Sequence, residues 1–144
     1  MNSATPVTLV LDTNVVLDLF VYEDPATEAL RDVLADPAIR WLATPVMREE
    51  LRRVLAYPHV LRRMSARNLT AESVLASFDA RACIVDVAPK ASYTCKDPDD
   101  QQFVDLAVVH KAQILSKDKA ILCMARRLAT LGVAVGRAWP LKPA

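Results

Sequence analysis

At 144 residues, 53% hydrophobic and 24% charged, the chain has the make-up of one globular domain around a single core, with none of the bias of a disordered or fibrous sequence. Eighteen Lys and Arg face 17 Asp and Glu, and a formal net charge of +1 neither advertises nor excludes a nucleic-acid partner. Three cysteines (Cys83, Cys95, Cys123) without a CxxC pair, and only two histidines (His59, His110), argue against a zinc site and predict buried free thiols. No stretch approaches the roughly 18 apolar residues of a membrane span, and no basic region with a long apolar run opens the chain. The expectation is a cytoplasmic protein with one domain over 1–144 and its core at about 7–140.

The local charge is uneven. Up to Asp36 the only basic residue is Arg31, whereas Arg48, Arg52, Arg53, Arg62, Arg63 and Arg67 crowd the stretch that follows the second strand. Such a segment could track a phosphate backbone, or form the solvated face of two helices.

In chain order, Val7 to Leu11 predicts a buried strand and Asn14 to Val21 a short helix. Pro25 to Leu34 predicts a second helix. Trp41 to Ala43 follows as a strand, and Pro45 to Ala56 as a helix opened by Thr44. Thr70 starts a helix to about Ala82, and Cys83 to Val87 is an apolar strand. Pro98 to Lys111 is helical, Gln113 to Ser116 extended, Lys119 to Leu131 helical and Val133 to Val135 a last strand. Strands alternating with helices of this length predict an α/β fold with a mostly parallel sheet. The two glycines, Gly132 and Gly136, lie near the last strand, so no glycine-rich phosphate loop exists; Gly132 suits a helix C-terminus.

Carboxylates recur where parallel strands end. Asp12 closes the first strand, Glu50 lies in the helix after the second, Asp97, Asp99 and Asp100 open a later helix, and Asp118 follows the fourth strand. Singly, Asp12, Asp97 and Asp118 read as helix caps. Jointly they meet at the sheet edge where α/β proteins place their sites, and like charges brought together there call for divalent cations. Helical phase separates the neighbours. Glu50 flanks the stripe of Met47, Leu51, Val54 and Leu55, whereas Glu49 points away among Arg52 and Arg53. Asp100 stands three, four and seven residues before Phe103, Val104 and Ala107, which puts it on the inward face.

Leu11-Asp12-Thr13-Asn14-Val15, Glu50-Leu51-Arg52-Arg53-Val54-Leu55, Asp97-Pro98-Asp99-Asp100 and Leu115-Ser116-Lys117-Asp118 together resemble the four motifs of PIN-domain nucleases. The chain is similar in particular to the group that includes VapC-type toxins of bacterial toxin–antitoxin pairs, from Val7 to about Pro140. The resemblance implies a PIN-like three-layer α/β/α sandwich with Asp12, Glu50, Asp100 and Asp118 at a Mg²⁺ or Mn²⁺ centre and Thr13, Asn14 and Ser116 in support. It further implies RNA as substrate, with Arg48, Arg52, Arg53 and Lys117 as candidate contacts, a cognate antitoxin and a homodimer. Ala120 stands where many relatives carry a second acid or polar residue, which weakens the case for a fully occupied second metal site.

No motif holds a histidine or cysteine, so the chemistry expected is metal-assisted hydrolysis of RNA phosphodiesters. Two rivals stand beside it. One is a PIN-like module that binds RNA or protein without cutting. The other is a phosphohydrolase with Asp12 as nucleophile, which would want an aspartate at position 14, where this chain has Asn14.

Overall fold

The computed structural model describes residues 7–141. Five strands, β1 (Val7–Leu11), β2 (Ile39–Ala43), β3 (Ala82–Ile84), β4 (Gln113–Leu115) and β5 (Val135–Gly136), form one sheet in the order β3-β2-β1-β4-β5. Every pairing is parallel. The helices are α1 (Thr13–Leu17), α2 (Glu28–Leu34), α3 (Pro45–Val54), α4 (Pro58–Ala66), α5 (Ala71–Arg81), α6 (Gln101–His110), α7 (Lys119–Leu122) and α8 (Ala125–Ala129).

Chain order fixes the layers. From β1 the sheet grows one way through β2 to β3; the chain then returns past β1 and grows the other way through β4 to β5. Right-handed crossovers therefore place α1 to α5 on one face and α6 to α8 on the other, giving an α/β/α sandwich. In agreement, α3 touches α1 and α5, while α6 lies against β1 and β4. The direction of growth reverses between β1 and β4, and a crevice opens beyond their C-terminal ends.

The central strands are buried on both faces and carry apolar runs to match: Leu9, Val10, Ile114 and Leu115 have no exposed surface. Trp41 of β2 packs edge-on to Phe78 of α5, with ring centroids 5.1 Å apart. Thr44 opens α3 by accepting a hydrogen bond from the Met47 N–H, and Met47, Leu51 and Leu55 form the buried stripe. Gly132 (φ 81°) reverses the chain after α8: its N–H bonds the Ala129 carbonyl, and the Val133 N–H bonds that of Leu128.

Several boundaries differ from expectation. β2 begins at Ile39, because Val7 to Leu9 hold Ile39 to Trp41 in register. β3 covers only Ala82–Ile84: it is an edge strand, with Cys83 and Ile84 exposed. The helix expected over Lys119 to Leu131 is two short ones, broken at Cys123 and Met124, which brings Ile121, Met124 and Leu128 all into the core. The last strand starts only at Val135, after the turn at Gly132. The short helix after β1 continues as a wider π-helical turn over Asp18–Tyr22, and α4 forms an element of its own starting at Pro58. All three cysteines are free, but only Cys95 is buried; Cys83 lies on the edge strand and Cys123 at the helix break. Among the described residues no helix is long and apolar enough to cross a membrane.

Candidate metal centre

The crevice between β1 and β4 is where three carboxylates meet. Asp12 leaves the end of β1, Asp118 follows β4 and caps α7, and Asp100 enters from the start of α6. Carboxylate oxygens of the three all lie within 4.8 Å of one another, and Asp12 and Asp100 are buried. Among the described residues no Lys or Arg forms an ion pair with any of them.

Ser116 ties the two strand ends together. It is fully buried, donates from Oγ to Asp12 Oδ2 at 2.6 Å and accepts the Asp118 N–H at 3.0 Å. Asp118 Oδ1 in turn accepts the Ala120 N–H at 2.9 Å, so this acid is both helix cap and cluster member. Asp97 caps the turn before α6 by accepting the Asp99 N–H and does not join the trio.

Glu50 stands beside this trio, half-buried on the flank of α3. Thr13 Oγ donates to Glu50 Oε1 at 2.7 Å, and Gln102 Nε2 donates to the same oxygen at 3.2 Å. Glu49 points outward and pairs with Arg52. Asn14 is exposed, and its side chain makes no hydrogen bond among the described residues; its backbone N–H lies by the Asp12 carboxylate.

The candidate RNA contacts divide. Arg48 holds Asp79 through two hydrogen bonds of 2.7 and 2.8 Å, Arg52 holds Glu49, and Lys117 pairs with the buried Asp18. Arg53 alone of the four has no ion-pair partner among the described residues. Two of these pairings, Arg48 with Asp79 and Lys117 with Asp18, link residues far apart in sequence, and local pattern carries no trace of them. Gln102 also escaped the sequence reading, since nothing in its spacing marks it as a neighbour of Glu50. Gln101 had a usable signal: its Nε2 donates to Asp105 Oδ1 at 2.8 Å, an i,i+4 pair, while its Oε1 accepts the Cys95 N–H.

Burial and crowding shape the electrostatics. Asp100 is pushed up to about 8, first by burial, then by sharing a proton with Asp118 and by the charge of Asp12. Asp118, the more exposed partner, is lowered by the hydrogen bond from Asp100. Burial raises Asp12, against the pull of the Ser116 hydrogen bond, and burial also raises Glu50. Cys95 is raised by burial first, and less by the charges of Asp100, Asp97 and Asp118.

The donor set fits a hard divalent cation. It is all oxygen, it converges, and Asp100 Oδ2 is buried with no hydrogen-bond partner, an arrangement that costs free energy unless a cation or proton meets it.

A family model described as PIN domain matches residues 8–120. Among eight solved chains that match, one belongs to the crystal structure of VapBC2 from Rickettsia felis bound to a DNA fragment from their promoter. It superposes with a TM-score of 0.62 at 13% identity, over 90% of this chain and 98% of that one. No curated protein matches the chain in sequence.

Proposed function

Since the chain belongs to the PIN-domain family, we propose that it is a metal-dependent ribonuclease of the cytoplasm, the toxin component of a toxin–antitoxin pair. The observation that carries the reading is the convergence of Asp12, Asp100 and Asp118 within 4.8 Å with no Lys or Arg paired to them among the described residues. The fold shared with a VapBC2 chain supports the toxin assignment, and with it a cognate antitoxin; a homodimer is proposed from the family resemblance alone.

Asp12, Asp100 and Asp118 would hold Mg²⁺ or Mn²⁺, with Glu50 at its edge. The cation would supply Lewis-acid activation of water and would stabilise charge on the leaving oxygen. The remaining roles fall to the chain. Ser116 locks Asp12 in one orientation, which keeps a central ligand from rotating away. Thr13 and Gln102 hold Glu50 Oε1, and Oε2, which accepts no hydrogen bond among the described residues, would orient a water and take its proton. The upward shift of Glu50 moves its basicity toward that of a useful general base at neutral pH. Ala120 has no polar side chain, its N–H is committed to Asp118 and its carbonyl accepts the Cys95 and Cys123 thiols, so Asp118 rather than position 120 would carry any second cation.

Labelled single-stranded RNA incubated with Mg²⁺, Mn²⁺ or EDTA tests the reading. Cleavage with either cation that EDTA abolishes supports it. RNA that is bound but never cut supports a binding module instead. Release of phosphate from a monoester, with RNA intact, would support Asp12 as a nucleophile.

A further inference from the structure

The stripe on α3 that carries Glu50 continues outward. Arg53, Val54 and Tyr57 follow it by three, four and seven residues, which sets all four on one side of the helix and the turn after it. Together with Asp99 they line one groove. Glu50 is its inner end, and Tyr57, in the turn between α3 and α4, is its outer end.

Three features of that groove stand out. Tyr57 is 50% exposed, and its ring lies 6.2 Å from that of His59, so an aromatic face is presented at the outer end. Arg53 has no ion-pair partner among the described residues, while Arg48 and Arg52 are tied to Asp79 and Glu49. Asp99 gives its backbone N–H to Asp97 and its carbonyl to Gln102, and its carboxylate takes no hydrogen bond among the described residues. Two acids against one cation make the groove a poor track for a run of phosphates. A flat, uncharged ring with amino groups on its edge suits it better.

We infer that this groove seats the nucleotide beside the scissile phosphate: its base stacks on Tyr57, its phosphate meets Arg53, and its amino edge donates to Asp99. This rests on the ribonuclease reading and makes Tyr57 and Arg53 positioning residues, outside the metal centre. Stacking tolerates any base, whereas an acceptor such as Asp99 favours bases with an exocyclic amine, so cytidine at this position should be preferred over uridine.

The test is steady-state cleavage of matched single-stranded oligonucleotides, with cytidine or uridine next to the cleaved bond, by the full chain with Mn²⁺. Tyr57→Ala should raise KM about tenfold, within what a lost base–aromatic stack costs, and leave kcat nearly unchanged; Tyr57→Phe should keep the wild-type KM. Arg53→Gln should raise KM and lower the salt dependence of log(1/KM) by about one unit, the mark of a lost phosphate contact. Asp99→Asn should shrink the preference for cytidine. A wild type that cleaves, with KM unmoved by both Tyr57→Ala and Arg53→Gln, overturns the inference and leaves the nuclease reading standing. A wild type that cleaves no RNA with Mg²⁺ or Mn²⁺ overturns both.

Discussion

Two regions of this molecule are rich in charge, and they resolve it in opposite ways. Along α3, α4 and the turn after them, four of the six arginines meet partners among the described residues: Arg48 with Asp79, Arg52 with Glu49, Arg67 with Glu23, and Arg63 over the Tyr22 ring. At the C-terminal edge of the sheet, Asp12, Asp100 and Asp118 crowd together with Glu50 alongside and no ion-pair partner among the described residues. Exposed pairs of the first kind contribute little to stability and are screened by salt. A buried cluster of the second kind destabilises the fold unless a proton or cation joins it. The candidate site is thus marked by charge left unbalanced, whereas most of the arginines lie on a neutralised surface.

The sharpest way to break the contrast is to alter the cluster. Asp12→Asn should cut metal-dependent RNA cleavage by more than roughly 100-fold, beyond the range of a lost supporting contact, while circular dichroism shows an intact fold. Ser116→Ala leaves the three acids present but frees Asp12 to turn, and should cost roughly 10- to 100-fold in the same assay. A folded Asp12→Asn protein with wild-type rates would remove that residue from the site.

A smaller effect separates the regions within one helix. Glu50→Gln removes the carboxylate held by Thr13 and Gln102, and should lower the cleavage rate at least about tenfold. Glu49→Gln only releases Arg52 on the solvent side, and the rate should stay within about twofold of wild type. The reverse order would mean that the chemistry lies on the arginine face.

The contrast was partly visible in the sequence, and the reason is geometrical. Asp12 and Asp118 follow apolar runs that could only be buried parallel strands, and the inward phase of Asp100 comes from Phe103, Val104 and Ala107, so their convergence follows from local pattern plus a topology rule. Burial bears this out, with Phe103, Val104 and Ala107 all in the core. What escaped is tertiary. The ion pair of Lys117 with Asp18, the contact of Gln102 with Glu50 and the pairing of Arg48 with Asp79 join segments 31 to 99 residues apart, where no periodicity links them. Of the boundaries that shifted, those of β3, β5 and the α7–α8 break lie toward the two edges of the sheet. There pairing is one-sided, and neighbours rather than propensity set where an element stops.

The electrostatics predict a pH dependence of known sign. Asp100 titrates near 3.8 unfolded and at about 8 in the fold, so the folded state holds its proton more tightly. The stability this lends is complete below about pH 4 and is lost as pH rises toward 8. Asp12 and Glu50, also raised, act in the same direction, while the lowered Asp118 acts only at more acid pH. In EDTA the melting temperature of the wild type should therefore fall between pH 5 and pH 8. Asp100→Asn should flatten that fall, matching wild type at pH 5 and exceeding it at pH 8 by on the order of 1 kcal/mol.

The central claim, that these acids are held together for a cation to bind, is tested most directly by thermal melting at pH 8 with increasing Mn²⁺. Wild type should rise steadily with the logarithm of free metal once the site begins to fill, because the ion binds the folded state. Asp12→Asn, which lacks the central carboxylate, should rise far less. Equal rises in the two proteins, or none in the wild type, would contradict the account.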